Sequence, residues 1–272
     1  MRADAPTPVS SCAAERGARA PLNGEQITVV VLARDEAARL PRTLARVPAG
    51  AQVYVLDAES TDGTARLARE LGARVETRAW EGFVAARRYA LRAVTTPWTL
   101  MLDADELIDD ALREAIAAAP GDVDGYRLHR VTLLCGRPVR TAGWSNERLL
   151  RLFRTGRARV EANSVAGGAD VHERWLVDGP VGDLGGTLVH DSYPTLASYR
   201  AKFARYTALE AAGLRPSLGA LARALVALPA RVAWSLLRYG GWRDGWRGLF
   251  VAWNSARYPV VVRLRALRAR RA

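Results

Sequence analysis

Through the first 120 positions, apolar residues come in short β-branched runs that alternate with segments of helical period. Residues 27–33, Ile-Thr-Val-Val-Val-Leu-Ala, form such a run and predict a first buried strand. Residues 52–56 predict a second strand, 74–77 a short third and 98–102 a fourth. Between them, 37–47 has a mixed helical pattern broken near Pro41, and 65–71 and 82–94 read as helices. The stretch 111–119 is also helical, opened by Asp109 and Asp110, acids that favour the amino end of a helix. Strands alternating with helices imply a mostly parallel sheet with right-handed crossovers.

The pattern changes after Gly121. Residues 125–134 and 149–154 read as longer antiparallel strands with Gly-rich loops between them, 187–190 as another short strand, and 195–212 as a helix. Two apolar stretches close the chain. In 217–238, Arg223, Arg231 and Arg238 stand eight and seven apart. On a helix they share an arc of roughly 80° and leave a wide apolar face. In 242–263, Trp242, Trp246, Trp253 and Tyr258 are interleaved with Arg243, Arg247 and Arg257. Neither stretch offers the roughly 18 uninterrupted apolar residues that a spanning helix wants. Arg-striped, Trp-rich helices suit an in-plane position at the headgroup level. The competing reading is a helical hairpin packed on the body, its arginines forming a solvated face.

Charge sharpens this choice. The 272 residues carry 40 basic and 28 acidic side chains, a formal net charge of +12. Residues 214–272 hold twelve Arg and one acid, Asp244, so nearly all the excess lies in the tail. A near-neutral body with a basic tail points to an anionic partner, either a membrane surface or nucleic acid. No RNA- or DNA-binding motif appears and the body has no basic excess, so nucleic acid is not expected. Cys12 and Cys135 lack metal-type spacing and fit a reduced, cytoplasmic protein. Residues 1–24 are rich in Ala, Pro and Arg without an apolar core, which predicts a disordered leader rather than a signal peptide.

The candidate chemistry begins where the fourth strand ends, at Asp103-Ala104-Asp105-Glu106. Open α/β sheets bind ligands at the carboxyl ends of their strands. On an extended backbone Asp103 and Asp105 share a face, so both carboxylates can converge on one cation. Oxygen ligands suit Mg²⁺ or Mn²⁺, with substrate phosphates completing the shell. The second strand likewise runs into a polar turn, Asp57-Ala58-Glu59-Ser60-Thr61-Asp62-Gly63-Thr64. An aspartyl-phosphate phosphatase would also place Asp-x-Asp after a strand, but it normally needs a Lys on the phosphoryl group. The one lysine, Lys202, falls within the predicted helix 195–212, which counts against that class.

An ordered set of segments resembles the inverting family 2 glycosyltransferases of GT-A fold, nearest to the lipopolysaccharide-core glucosyltransferases that act on heptose. It comprises Val55-Leu56-Asp57-Ala58-Glu59-Ser60-Thr61-Asp62-Gly63-Thr64, Glu81-Gly82-Phe83, Leu102-Asp103-Ala104-Asp105-Glu106, Gly143-Trp144 and Leu150-Arg151-Leu152-Phe153-Arg154. Val171-His172-Glu173-Arg174 and Gly241-Trp242-Arg243-Asp244-Gly245-Trp246-Arg247-Gly248 complete it. The aspartate turns are shared widely across the family, while the last two segments are narrower. The resemblance spans about 27–263. It implies an α/β fold, a GT-A-type (Rossmann-like) mixed sheet with a C-terminal helical, membrane-associating extension. The expected parts are a leader (1–24), a nucleotide-sugar-binding half (25–120), an acceptor-binding half (121–213) and a basic amphipathic tail (214–272).

The resemblance also implies roles. Asp57 binds the uracil edge, Asp103 the ribose or the metal, and Asp105 the Mg²⁺ or Mn²⁺ on the diphosphate. Ala33 and Glu36 frame the nucleotide, where the family often has Thr-Lys-Asn-Glu and this chain has Ala33-Arg34-Asp35-Glu36. Where the family favours Gln-Lys-Asn this chain has Ala86-Arg87-Arg88, and Arg88 offers a cation to the nucleotide. Inverting transfer needs a base for the acceptor hydroxyl. Glu173, after a Gly-rich loop, is the expected base, with His172 as base or orienter and Asp170 as the remaining carboxylate. Arg151 or Arg154 can contact diphosphate or acceptor phosphate through a planar fork, or form a solvated strand face with Arg148. Tyr199, Lys202 and Tyr206 share a helix face that reads as packing, and His129 reads as a core side chain. His190, at a strand end, stays open. The expected activity is transfer of a sugar, glucose by the resemblance, from a UDP-sugar to a lipid-linked or lipopolysaccharide-core saccharide at the inner face of the cytoplasmic membrane. A polyprenyl-phosphate glycosyltransferase is the enzyme alternative, and a basic membrane-surface adaptor the non-enzyme one.

Overall fold

The computed structural model describes residues 21–140, 144–162 and 173–269. Its centre is a parallel array of β1 (Ile27–Ala33), β2 (Gln52–Asp57), β3 (Arg74–Thr77) and β4 (Trp98–Asp103), in the spatial order β3-β2-β1-β4. β1 and β4 are buried almost end to end, as strands covered on both faces must be. Alternate residues feed two cores. Val29, Val31, Ala33 and Val55 pack with Leu40, Leu44, Ala68, Ile108, Leu112 and Ile116 on one face. Val30, Tyr54, Leu56 and Met101 pack with Val84, Ala90, Phe153, Val160 and Trp175 on the other.

The helices between these strands are α1 (Leu40–Leu44), α2 (Thr64–Glu70) and α3 (Phe83–Arg92), and α4 (Asp110–Ala117) follows the last of them. Pro41 stands in the first turn of α1, where its missing N–H costs nothing, which explains why the expected longer helix begins there. Asp109 caps α4: its Oδ1 accepts from Leu112 N at 2.7 Å and from Thr187 N at 2.9 Å.

β6 (Gly125–Leu134) and β8 (Ser145–Arg154) extend the sheet as an antiparallel pair, and β8 lies antiparallel to β4. β12 (Leu188–Tyr193) runs parallel to β6 and antiparallel to β5 (Glu106–Ile108), the three-residue strand just after the aspartates. Short strands β7 (Arg137–Pro138) and β11 (Val181–Asp183) attach to β6. β9 (Ala158–Ala162) and β10 (Glu173–Val177) form a separate ribbon. Sequence patterning missed β5, β7, β9, β10 and β11, each two to five residues long.

Helix α5 (Leu196–Ala212) begins at Thr195, whose hydroxyl accepts from Ser198 N at 3.0 Å. Helix α6 (Leu218–Arg238) begins at Ser217 and runs through Pro229. A 3₁₀ turn over Gly241–Asp244 leads into α7 (Trp246–Ala269). A Cβ at Gly248 would lie 1.7 Å from the Gly241 carbonyl oxygen, so only glycine lets the turn close on the helix. Helix α7 is fastened to the body. Val251 packs with Leu134 and Val139, Val262 and Ala266 pack with Ala211, and Arg247 Nε donates to the Leu134 carbonyl at 3.0 Å.

Helix α6 lies along α7 with Ala224 and Ser235 buried. Its other side is bare: Leu218, Leu225, Val226 and Leu237 are exposed, Val226 by 81% and Leu237 by 77%. Trp234, Trp242, Trp246, Leu249 and Trp253 are exposed as well. By length and composition α6 does qualify to cross a membrane, with a mean hydropathy of 1.4. Its apolar run is still interrupted by Arg223 and Arg231, as the sequence predicts; leucines, valines and alanines keep the average high across them.

Candidate active site

The carboxyl ends of β1, β2 and β4 meet at one edge. In register, Ala33 lies beside Asp57, and Leu32 beside Asp103. Two loops frame this edge and are laced together. Asp35 N donates to Ser60 Oγ at 2.9 Å, Thr61 N to Asp35 Oδ1 at 2.8 Å, Glu36 N to Thr64 Oγ1 at 2.8 Å and Ala37 N to Asp62 Oδ2 at 2.9 Å. Asp35 and Glu59, one in each loop, both hold φ at 54°. Left-handed backbone at non-glycine residues costs of order 1–3 kcal/mol and persists where surrounding bonds over-determine it.

Asp57 is 1% exposed. Its Oδ2 accepts from Ser60 N at 3.1 Å, and its Oδ1 is buried with no hydrogen-bond partner. Ala33 is buried beside it, and its carbonyl accepts from Ala58 N at 2.8 Å. Glu36 pairs with Arg39 at 3.0 Å. Burial raises the Glu36 pKa, with the Asp105 charge adding to it and Arg39 opposing.

Asp103 is gripped from both sides. Arg87 Nη2 donates to its Oδ1 and Arg151 Nη2 to its Oδ2, each at 2.9 Å. Burial disfavours its ionised form, but Arg151 and Arg87 outweigh that and hold the carboxyl far below the usual range. Arg151 Nη2 also donates to Glu106 Oε1 at 2.8 Å. Glu106 in turn accepts from the Asp103 backbone N–H at 3.0 Å and pairs with Arg130 at 3.4 Å. Glu106 is fully buried, so this array ties the aspartate turn to the antiparallel strands.

Asp105 faces another set. His190 Nε2 lies 3.4 Å from its Oδ1, and Lys202 Nζ lies 3.4 Å from its Oδ2. Burial raises its pKa, but the His190 hydrogen bond and charge and the Lys202 charge bring it down to about 2. β12 carries His190 here: Asp191 N donates to the Asp105 carbonyl at 2.9 Å. Two ligands of one divalent ion stand about 3 Å apart. The Asp105–His190 separation of 3.4 Å is close to that, and the carboxylate is an oxygen ligand of the kind that Mg²⁺ or Mn²⁺ takes. Asp103, with both oxygens on guanidinium groups, fits a hydrogen-bond acceptor better than a metal ligand.

The other expected residues fall in different places. Arg88 donates to the Val160 carbonyl at 3.1 Å and so braces α3 against β9, while its neighbour Arg87 reaches Asp103. Sequence held the signal: Val84, Arg87 and Ala90 share the buried stripe of α3. Arg151 is a buried partner of acids rather than an open cation. Arg154 lies at the far end of β4, over the Trp98 ring at 4.8 Å, with its Nη2 on the Gly121 carbonyl at 2.5 Å. Arg148 pairs with Asp183 at the surface. Glu173 opens β10 opposite Ala162, while His172 and Asp170 lie outside the described residues. His129 is half-buried in β6. Tyr199 packs in an aromatic cluster with Trp144, Tyr193 and Phe250, as expected of that helix face. Lys202, one turn along, instead reaches Asp105, a contact across 97 residues that no local pattern carries.

Acids at the carboxyl ends of a parallel sheet that antiparallel strands continue define a Rossmann-like fold of GT-A type. The chain belongs to glycosyl transferase family 2, whose model matches residues 28–165. It is a glycosyltransferase. It is similar to the lipopolysaccharide core biosynthesis glycosyltransferase LpsC of Rhizobium meliloti, at 28% identity over 249 residues, covering 86% of this chain and 89% of LpsC. An uncharacterized glycosyltransferase of Rickettsia felis is 34% identical over 113 residues, 40% of each chain. The mannosyltransferase PcManGT of Pyrobaculum calidifontis, solved with GDP-Man and Mn²⁺, shares the fold: TM-score 0.50 at 17% identity, covering 92% of this chain and 89% of that one.

Proposed function

We propose that the enzyme transfers a sugar, glucose, from a UDP-sugar to a saccharide of a lipid-linked or lipopolysaccharide-core glycan, with inversion and with Mg²⁺ or Mn²⁺. The observation that carries the donor part is the meeting of Asp57, Asp103 and Asp105 at one sheet edge, with His190 beside Asp105. Asp57 has one carboxylate oxygen free, which suits a single N–H such as that of uracil. Asp103, kept ionised by Arg87 and Arg151, accepts from the ribose. Asp105 and His190 would hold the cation. When bound there, it would supply Lewis-acid neutralisation of charge on the departing diphosphate.

In an inverting transfer the acceptor oxygen bonds to the anomeric carbon as the carbon–oxygen bond to diphosphate breaks, and that electron pair leaves on phosphate. The acceptor hydroxyl proton goes to Glu173, or to His172 or Asp170 from the same segment. Likeness to LpsC supports a lipopolysaccharide-core acceptor.

Such an acceptor sits in a bilayer, and the bare apolar face of α6, with its Trp-rich continuation, supports docking at the inner face of the cytoplasmic membrane. The charge of 214–272 suits anionic phospholipid. Helix α7 is fixed to α5 and β6, and α6 to α7, so the pair suits an in-plane position rather than a span. A thermal-shift panel of UDP-, GDP- and dTDP-sugars with and without Mn²⁺ tests the donor, since ligand binding to the native state raises apparent stability. UDP-glucose with Mn²⁺ should stabilise most. A larger shift with a GDP-sugar, or shifts indifferent to Mn²⁺, would overturn the donor or metal assignment respectively.

A further inference from the structure

Lys202 is the one lysine in a chain with 39 arginines. The structural ion pairs and carbonyl braces around the site use arginine: Arg87, Arg130, Arg151 and Arg154 all hold carboxylates or carbonyls. Among the described residues, Lys202 is the one Lys or Arg side chain that pairs with Asp105. Its Nζ lies 3.4 Å from Asp105 Oδ2 and 3.0 Å from Ser192 Oγ, on a side chain that is 30% exposed. The two Asp105 oxygens are thus divided, Oδ1 to His190 and Oδ2 to Lys202.

The chemistry of the two cations explains the division. A guanidinium would grip Asp105 with a planar fork, whereas an ammonium is a compact point charge on a flexible stem that can swing from one anion to another. Within a few ångströms of the Asp105–His190 pair, the ammonium competes with a divalent cation for the carboxylate and repels it. A donor diphosphate bound through that cation brings anionic oxygens to the same place.

We infer that Lys202 is a diphosphate-binding residue that rests on Asp105 in the free enzyme and passes to a phosphate oxygen when a cation and the donor arrive. This rests on the reading of Asp105 and His190 as the cation site. Consequently the free enzyme holds Mn²⁺ weakly, and nucleotide and metal strengthen each other's binding.

The test is calorimetric titration of Mn²⁺ alone, of UDP at saturating Mn²⁺ and of UDP in EDTA. It uses the wild-type chain, Lys202→Met, Lys202→Arg and Asp105→Asn, each checked for an unchanged melting temperature. Removing the competing charge should tighten Mn²⁺ alone by about fivefold or more in Lys202→Met, while UDP weakens about tenfold. Lys202→Arg should weaken Mn²⁺ below wild type, since its fork keeps Oδ2. A structural lysine does not move the two affinities in opposite directions. If both constants stay within about twofold of wild type in folded Lys202→Met, or both weaken together, the inference is wrong. If wild type binds UDP equally well in EDTA and Lys202→Met still loses tenfold there, the cation reading of Asp105 falls and Lys202 remains on the diphosphate.

Discussion

Replacing Val226 and Leu237 by aspartate should detach the enzyme from anionic vesicles without unfolding it. Both side chains lie on the outer face of α6 and are about four-fifths exposed, at 81% and 77%, so the fold gains little from them. Surface changes of this kind usually move stability by no more than about 0.5 kcal/mol. Burying such a side chain fully is worth about 1.5–3 kcal/mol, and a helix seated about 5–10 Å into the headgroup boundary buries roughly half of it. That puts the lost apolar contribution near 1 kcal/mol per site. Each new carboxylate beside an anionic surface adds about 1 kcal/mol of repulsion at low salt. The sum, about 4 kcal/mol, corresponds to roughly a thousandfold weaker partitioning. Arg223, Arg231 and Arg238 changed together to glutamine should cost about 3 kcal/mol at low salt and little at high salt, because surface charges are screened beyond roughly 8 Å at physiological ionic strength. Co-sedimentation with phosphatidylglycerol-containing vesicles at two salt concentrations reads both effects. If Val226→Asp/Leu237→Asp loses less than about tenfold, the outer face of α6 is not the contact surface. If wild type stays in the supernatant at low salt, that face belongs to another partner.

Further outcomes are expected at the site. Asp105→Ala should abolish Mn²⁺-dependent UDP-sugar binding while the protein stays folded; undiminished Mn²⁺-dependent affinity, read by calorimetry, would refute its role. Glu173→Gln should lower turnover by roughly 10²–10⁴-fold with donor affinity nearly constant, and near wild-type turnover would move the base to His172 or Asp170. Arg151→Met leaves two acids beneath the site, Asp103 and Glu106, short of a partner, which should cost about 3–5 kcal/mol in denaturant unfolding. A loss below about 1 kcal/mol would show that Arg87 and Arg130 suffice.

Lys202 and Arg87 show what the amino-acid order conceals in this chain. β1, β2 and β4 are legible because each is a largely buried β-branched or apolar run, and β3, though partly exposed, falls with β6 on the residues that patterning predicts. The capped helices are legible because Asp109, Thr195 and Ser217 act within three residues of themselves. Asp103 and Asp105 stand out as acids closing an apolar run. Their cations do not, because a guanidinium or ammonium finds its carboxylate across the fold: 16 residues separate Arg87 from Asp103, 48 separate Arg151 from it, and 97 separate Lys202 from Asp105. The buried stripe of α3 separates Arg87 from adjacent Arg88 in the sequence itself, but that stripe does not name the carboxylate that Arg87 reaches. The helix face carrying Tyr199 and Lys202 divides similarly, one residue into an aromatic core and the next turn onto a carboxylate. The ratio of 39 arginines to one lysine says nothing about function by itself; only the contact with Asp105 gives Lys202 a place at the site.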